Sequence, residues 1–251
     1  MDGAQGTMIQ KHALREEDYR GSRFADRELF PQDLRNNNDV LVLTRPDIIR
    51  DMCEQYLRAG SDVISTCTFS ATCIGQHEFF HPGAATSVHN QAYYDSVLAD
   101  EPLAVLVREM NLAACTIARS AADAAEAADG RPRLVAGSIG PMAVTASLSP
   151  DVSDPGYRAI NFDQLSRAYR EQVIALTDGG VDVLLLETIF DPLNAKACLY
   201  AIAELREERE LPPVMISFTI TDRAGRTLSG QTVEGFWNSV RHADPLRVGI
   251  N

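Results

Sequence analysis

The amino-acid sequence predicts an α/β fold built around a parallel sheet. Short apolar runs alternate along the chain with longer segments of helical periodicity. Five of these runs are expected to be strands, near residues 62–69, 133–139, 181–187, 213–220 and 246–251. They are apolar on both faces, which is typical of parallel strands covered by helices. The 251 residues are 45% hydrophobic and contain no evident linker, so we expect one domain over residues 1–251.

The first helix and strand of this pattern lie in the segment PDIIRDMCEQYLRAGSDVISTCTF. Pro46 suits a first helical turn, the apolar residues that follow share one face, and Gly60 ends the helix. The segment 81–103 then breaks the alternation, and its flanking Pro and Gly indicate a surface insertion with a short helix. A helix over residues 106–127 leads to the second strand.

The second half of the chain repeats the alternation more regularly. A long loop with polar and turn residues is expected over 141–163. Three helices follow, over residues 162–180, 192–210 and 232–243, and one of them precedes each of the remaining three strands.

The ends of the predicted strands distinguish between two architectures. An open doubly wound sheet would carry a glycine-rich phosphate turn after its first strand, and none is present. Four strands instead end in polar residues or glycine, namely Thr66-Cys67-Thr68, Gly137-Ser138, Glu187-Thr188 and Asn251. Because barrel enzymes bind ligands at the carboxyl ends of their strands, these residues favour a (β/α)₈ barrel of the TIM type.

Charge and cysteine usage exclude several functions. The formal net charge is -12, from 23 basic and 35 acidic residues, which disfavours nucleic acid and anionic membrane surfaces as partners. The sequence shows neither an 18-residue apolar run nor a secretory signal, so we expect a cytoplasmic protein. The five cysteines form no C-x-x-C pair and are not flanked by His at metal-ligand spacing. Spacing alone therefore predicts no zinc site.

Several phrases of the sequence resemble the homocysteine-binding domain of cobalamin-dependent methionine synthase. They include MDGAQGTMIQ, RGSRFAD, NNNDVLVL, TCTFSAT, VAGSIGP, LLLETIFDPLNAKA, ISFTITDRAGRTLSGQT and VGIN. The resemblance covers nearly the whole chain except 81–103. Other homocysteine methyltransferases share the D-G, E-T and G-I-N elements, whereas RGSRFAD and TLSGQT point to the methionine synthase branch.

The resemblance implies a (β/α)₈ barrel whose mouth holds homocysteine. A zinc ion would bind the sulfur as thiolate, and methylcobalamin on a separate domain would supply the methyl group. Glu187 would then pair with the homocysteine ammonium, with Asp2 as a second acceptor, and backbone N–H groups near glycines would suit the carboxylate. The expected substrate-binding residues are Asp2, Gly3, Thr68, Gly137, Ser138, Glu187 and Asn251. Each has a structural alternative, such as a salt-bridged helix start for Glu187 or a loop cap for Thr68.

The sequence also departs from the family pattern. The family's zinc cysteines, one directly after G-I-N and two in a G-G-C-C-G phrase, do not occur in residues 1–251, and Cys67 replaces the Asn of T-N-T-F. The family's first strand precedes the D-G element. We therefore expect this chain to hold about strands 2–6 of the eight, to bind neither zinc nor cobalamin, and to be inactive alone.

Three functions follow from these expectations. The chain is the homocysteine-binding part of a methionine synthase, a non-catalytic amino-acid-binding module, or a structural remnant. The first requires partners, which would be cobalamin- and folate-binding domains or a complementing C-terminal segment. No catalytic residue is assigned.

Overall fold

The computed structural model describes residues 1–82 and 89–251. Within these residues one sheet contains five strands, which are β1 (Val63–Ser65), β2 (Leu134–Ile139), β3 (Val183–Ile189), β4 (Val214–Phe218) and β5 (Arg247–Ile250). Each strand pairs in parallel with the next one in the chain, in the order β1-β2-β3-β4-β5. The predicted α/β fold with a parallel sheet is confirmed. The order contains no reversal, as expected for a barrel wall and not for a doubly wound sheet.

Helices connect the strands. Those in the described residues are α1 (Gln5–Gln10), α2 (Glu16–Arg20), α3 (Leu41–Thr44), α4 (Pro46–Arg58), α5 (Cys73–Phe80), α6 (Gln91–Leu98), α7 (Glu101–Asp129), α8 (Phe162–Asp178), α9 (Pro192–Glu208) and α10 (Val233–Val240). A 3₁₀ turn, Arg241–Ala243, extends α10. In the part of the chain that the structure describes, none of the helices has the length and apolar character needed to cross a membrane.

Side-chain caps determine where the long helices begin. Asn161 accepts a hydrogen bond from the backbone N–H of Gln164, whose side chain accepts one from the N–H of Asn161, so a capping box starts α8. Asp100 caps α7 at Leu103, and Pro102 lies in its first turn. This cap explains why α7 begins several residues before the predicted start at 106.

The sheet has two different faces. Residues that point outwards, such as Ile64, Val135 and Leu184, are buried against the helices in the main core. Residues that point inwards alternate with them and form a separate apolar layer, which consists of Val63, Ala136, Val183, Leu185 and Met215. At the carboxyl ends of the strands this inner face becomes polar, with Ser65, Ser138, Glu187 and Ser217. The inner face therefore has an apolar floor and a polar rim.

The segment 81–103 was expected to be a surface insertion with a short helix, and one face of its described part packs against the main core. The helix α6 does occur there, but Tyr94, Val97 and Leu98 are buried in the main core. The Gln164 side chain of α8 also donates to Asp95 at 2.6 Å. Residues 101–103 belong to the first turn of α7, and residues 83–88 lie outside the described residues.

Candidate active site

A cavity of about 850 Å³ opens at the carboxyl ends of the strands. Its walls are the inner faces of β1 to β5, the N-terminal residues 1–6 and the segment 36–39. This position agrees with the general rule that parallel α/β sheets bind ligands beyond the carboxyl ends of their strands.

Glu187 lies on the inner face of β3, two residues after Leu185, and lines the cavity. The hydroxyl of Ser138 on β2 donates to Glu187 Oε1 at 2.5 Å. Burial raises the pKa of Glu187, the Ser138 hydrogen bond lowers it, and the negative charge of Asp2 raises it further. Among the described residues no basic side chain pairs with Glu187. An ionised carboxylate that is buried without a cationic partner is costly, and a cation bound beside it would lower this cost.

Asp2 faces the same cavity from the N-terminal segment. Its backbone N–H donates to Val63 O at 2.8 Å, which places Asp2 beside β1. Its carboxylate oxygen Oδ2 accepts hydrogen bonds from Ser65 N at 2.6 Å and Ser65 Oγ at 2.8 Å, and Gln5 Nε2 donates to Ser65 O at 2.8 Å. Burial raises the pKa of Asp2, although the two Ser65 hydrogen bonds oppose this shift. Asp2 and Glu187 thus form a pair of half-buried acceptors suited to an ammonium group.

Thr188 lines the cavity, although it was not among the expected substrate-binding residues. Its φ of 58° is in the left-handed region, and the pairing of β3 with β4 shifts register between Leu186 and Ile189. Such a conformation costs a β-branched residue about 1–3 kcal/mol. The Thr188 N–H donates to Ser217 Oγ at 3.2 Å, and Thr188 Oγ1 accepts from Asn251 Nδ2 at 3.0 Å. A run such as Glu-Thr-Ile gives no sequence signal for this bulge.

Three other predicted site residues line the cavity. Ser138 holds Glu187, as described above. Gly3 packs under Tyr56, whose hydroxyl oxygen would lie 3.3 Å from a Cβ at this position. Asn251 is fixed by its backbone N–H, which donates to Phe218 O at 2.8 Å.

Thr68 and Gly137 are not among the residues that line the cavity, and their predicted ligand roles stay predictions. The Thr68 side chain is fully buried, and its hydroxyl donates to Ser138 O at 2.7 Å. Gly137 faces α8, where a Cβ would lie 3.1 Å from Leu176 Cδ1 and 3.2 Å from Val181 Cγ2. Glycine is needed there for close packing of helix on strand.

Asp39 is a second cavity residue that sequence reasoning missed. It lies in the NNNDVLVL phrase, and its Oδ2 accepts hydrogen bonds from Ser70 N at 2.8 Å and Gln76 Nε2 at 3.3 Å. Burial raises the pKa of Asp39 to about 7. Nearby Cys67 is buried, with Sγ 3.6 Å from Asn38 O, and burial together with the charge of Asp39 keeps its pKa well above the usual value. Cys67 is therefore a neutral thiol in the cavity wall.

Comparison with known proteins identifies the family. The sequence model described as homocysteine S-methyltransferase matches residues 1–251. The chain belongs to the homocysteine S-methyltransferase family. The resemblance noted in the sequence is thereby confirmed at the level of the family, and membership supports methyl transfer to homocysteine.

Solved structures of the homocysteine methyltransferase MmuM from Escherichia coli have a similar fold. The metallated form matches with a TM-score of 0.69 and 20% identity, over 100% of this chain and 73% of that chain. The oxidised form matches with a TM-score of 0.66 and 22% identity, over 100% and 72% of the two chains. This likeness in fold confirms the predicted fold class, a TIM-type barrel like that of homocysteine methyltransferases.

Zinc, which the family implies, does not fit the described residues. In residues 1–82 and 89–251 no group of three or more His, Cys, Asp or Glu could hold a metal ion. The five cysteines are all buried and none is in a disulfide. Burial raises the pKa of the Cys53 thiol to about 12 and that of Cys115 to about 12. Neutral, separated thiols are poor zinc ligands, because zinc binds the thiolate.

Proposed function

We propose that this chain is the homocysteine-binding part of a methionine synthase, in which a methyl group is transferred to the homocysteine sulfur. The homocysteine ammonium lies between Glu187 and Asp2. The observation that carries this proposal is the meeting of these two carboxylates in one cavity of a homocysteine S-methyltransferase family member.

The electrostatics of the pair support an ammonium ligand. Burial of Glu187 and Asp2 raises the pKa of both groups, so each carboxylate is costly to keep ionised without a counter-ion. An ammonium group between the two carboxylates offsets this free-energy cost. It accepts no hydrogen bonds, so it does not compete with the carboxylates for their donors. Ser138 and Ser65 hold the carboxylates in place through their hydroxyls, which leaves other oxygen lone pairs for the ligand.

The assignment to the methionine synthase branch is argued from two sequence phrases. Residues of both phrases have structural roles. In RGSRFAD, the buried Arg20 donates to Phe24 O at 2.8 Å and Phe30 O at 3.0 Å, which fixes the loop after α2. In TLSGQT, Ser229 Oγ donates to Phe190 O at 2.9 Å, which ties this loop to the end of β3. Methylcobalamin as methyl donor is part of the proposal and involves none of these contacts.

The remaining parts of the enzyme are proposed to lie outside the described residues. They are the zinc cysteines, whose ligand set cannot be built from residues 1–82 and 89–251, and the cobalamin- and folate-binding domains. A cytoplasmic location belongs to the same proposal and agrees with five cysteines that form no disulfide.

A second candidate is a non-catalytic module that binds an amino acid. The lack of a three-donor cluster in the described part of the chain favours it. Both candidates bind the ligand ammonium at the same site, and they differ only in whether methyl transfer takes place. Supplying the zinc cysteines and the cobalamin domain should give methyl transfer for the first candidate and none for the second.

The ammonium site is tested by Glu187→Gln, which keeps the shape of the side chain and removes its charge. Breaking a buried charge pair costs at least about 2 kcal/mol, which corresponds to roughly 30-fold weaker binding. Isothermal titration of the chain with L-homocysteine under reducing conditions should show this loss.

The matched control is Glu210→Gln, which removes one negative charge from an exposed position outside the cavity. It should bind homocysteine as tightly as the unmodified chain. Equal affinity in Glu187→Gln and in the control would refute the ammonium site.

A further inference from the structure

Two buried threonines that follow β1 bind the backbone of Ser138. A regular parallel ladder would continue with the Ser138 N–H donating to Thr66 O, as the Leu134 N–H donates to Asp62 O at 2.9 Å at the start of this pair of strands. The Ser138 N–H instead donates to the side-chain oxygen Thr66 Oγ1 at 3.0 Å. The Thr68 hydroxyl donates to Ser138 O at 2.7 Å. Both backbone polar groups of Ser138 are therefore bound by side chains.

The hydrogen bonds of these three residues close into a ring. Thr66 Oγ1 and Thr68 Oγ1 are 2.7 Å apart. Each hydroxyl has one hydrogen, and Thr68 gives its own to Ser138 O, so Thr66 donates to Thr68 Oγ1. The donors thus follow one direction, from the Ser138 N–H through Thr66 and Thr68 to the Ser138 carbonyl. All three residues are at most 1% exposed, so bulk water does not compete for these bonds.

Helix α8 supports the ring from the side of the main core. The buried side chain of Gln172 donates from Nε2 to Thr68 O at 2.8 Å. The same Nε2 lies 3.5 Å from Ser138 O. The ring is therefore attached to the end of β1, to β2 and to α8. A buried network with this many partners holds its members in one arrangement.

The side chain of Ser138 connects the ring to the cavity. Its hydroxyl donates to Glu187 Oε1 at 2.5 Å, and both residues line the cavity. Because the ring fixes both peptide groups of Ser138, it also fixes the direction in which this side chain leaves the strand. We propose that Thr66 and Thr68 are positioning residues, which act through Ser138 to hold the Glu187 carboxylate towards the ligand ammonium. This role rests on the proposed function, which assigns the ammonium to Glu187.

The pKa of Glu187 measures whether Ser138 still holds its carboxylate. The Ser138 hydrogen bond lowers this pKa, so a variant that breaks the ring should raise it. Thr68→Val removes the hydroxyl and keeps the shape of the side chain, whereas Thr68→Ser keeps the hydroxyl. We expect the titration midpoint of Glu187 to rise in Thr68→Val towards its value in Ser138→Ala, by up to about one pH unit. In Thr68→Ser it should stay where it is in the unmodified chain.

Nuclear magnetic resonance follows this titration in the chain without ligand. The carbon-13 signal of the Glu187 carboxyl group is assigned by its loss in Glu187→Gln. The variants at Thr68 and Ser138 leave the other titratable groups of the cavity wall in place, which are the N-terminal ammonium of Met1, Asp2, Asp39, Cys67 and Arg247. Thr66→Val removes the other hydroxyl of the ring and should give the same rise, so it replaces Thr68→Val if that variant does not fold.

Homocysteine binding is the second measurement. When Ser138 no longer holds Glu187, the ligand must order this side chain itself, which should weaken binding in Thr68→Val by about two- to tenfold. Isothermal titration under reducing conditions measures this loss, and Thr68→Ser should restore the affinity. Thr177→Val is the matched control, because it removes a hydroxyl that donates to Val173 O within α8. It should change neither the affinity nor the midpoint of Glu187.

The outcomes separate the ring from the proposed function. If the Glu187 midpoint is the same in Thr68→Val and in the unmodified chain, the ring only stabilises the fold and the proposal is wrong. If Thr68→Val weakens binding without moving the midpoint, Thr68 acts on the ligand directly, and the proposal is equally wrong. If the unmodified chain does not bind homocysteine, the proposed function fails, while the midpoints still decide whether the ring holds Glu187.

Discussion

Replacement of Asp39 by Asn should change how the stability of the protein depends on pH. The Asp39 carboxylate is buried without a cation and accepts hydrogen bonds from Ser70 N and Gln76 Nε2. Burial raises its pKa from the ordinary value of 3.8 to about 7. The folded state therefore holds the proton more tightly than the unfolded state does, and ionisation of Asp39 opposes folding.

The sign and size of the effect follow from these two pKa values. The stabilising contribution of protonated Asp39 is complete below about pH 3.8 and is lost as the pH rises through about 7, at which half of the folded-state carboxyl groups are ionised. At 1.36 kcal/mol per pKa unit the whole change is about 4 kcal/mol, of which about 3 kcal/mol falls between pH 5 and pH 8. Asp39→Asn cannot ionise and should not show this loss.

Urea-induced unfolding at several pH values between 5 and 8 measures the effect. The free energy of unfolding of the unmodified chain, minus that of Asp39→Asn, should fall by about 3 kcal/mol across this range. Glu210→Gln serves as the control, because its exposed carboxylate should give curves parallel to those of the unmodified chain. A constant difference between the unmodified chain and Asp39→Asn would mean that Asp39 titrates near its ordinary pKa, and the argument from burial would be wrong.

Three further predictions concern backbone strain, packing and metal. Thr188→Gly should not lower the free energy of unfolding in urea, because relief of the positive φ at Thr188 offsets the entropy of glycine; a loss above about 1 kcal/mol would contradict this. Gly140→Ala should destabilise the protein by about 1–3 kcal/mol in the same assay, since its Cβ would lie 2.4 Å from Phe69 O; full stability would show that the loop at Phe69 yields freely. Metal analysis of the purified chain after incubation with zinc should find no stoichiometric ion, and one tightly held zinc per chain would refute the view that the described residues lack a ligand set.

Regular periodicity made the second half of the fold predictable. The strand over 181–187 and the helix over 162–180 appear within a few residues as β3 and α8, because strong apolar patterns and the Asn161 cap specify them locally. The short helices α1, α2 and α3 were not predicted. They have four to six residues each, too few for a helical period to be seen, and their formation depends on tertiary contacts.

The sequence predicted a site residue only where a reactive or binding side chain lies at the end of a strand. Glu187 stands out because it ends an apolar run, and the structure brings it into one cavity with Asp2. The packing of Gly137 against α8 was not predictable, since a glycine in a strand pattern does not reveal which face it occupies. Asp39 and Arg247 reach the cavity through the packing of segments distant in sequence, which no local pattern reports.

The alternation of faces along β3 also affects how this protein can evolve. Leu184 and Leu186 are fully buried against the helices, and truncating either one should cost about 2–5 kcal/mol. Leu185 and Glu187 face the cavity, so their replacement alters which molecule is accepted more than it alters the packing beneath the helices. Natural selection can therefore act on neighbouring codons for different reasons. A lineage that changes Glu187 at the rim can alter the ligand while the residues packed against the helices keep the same scaffold.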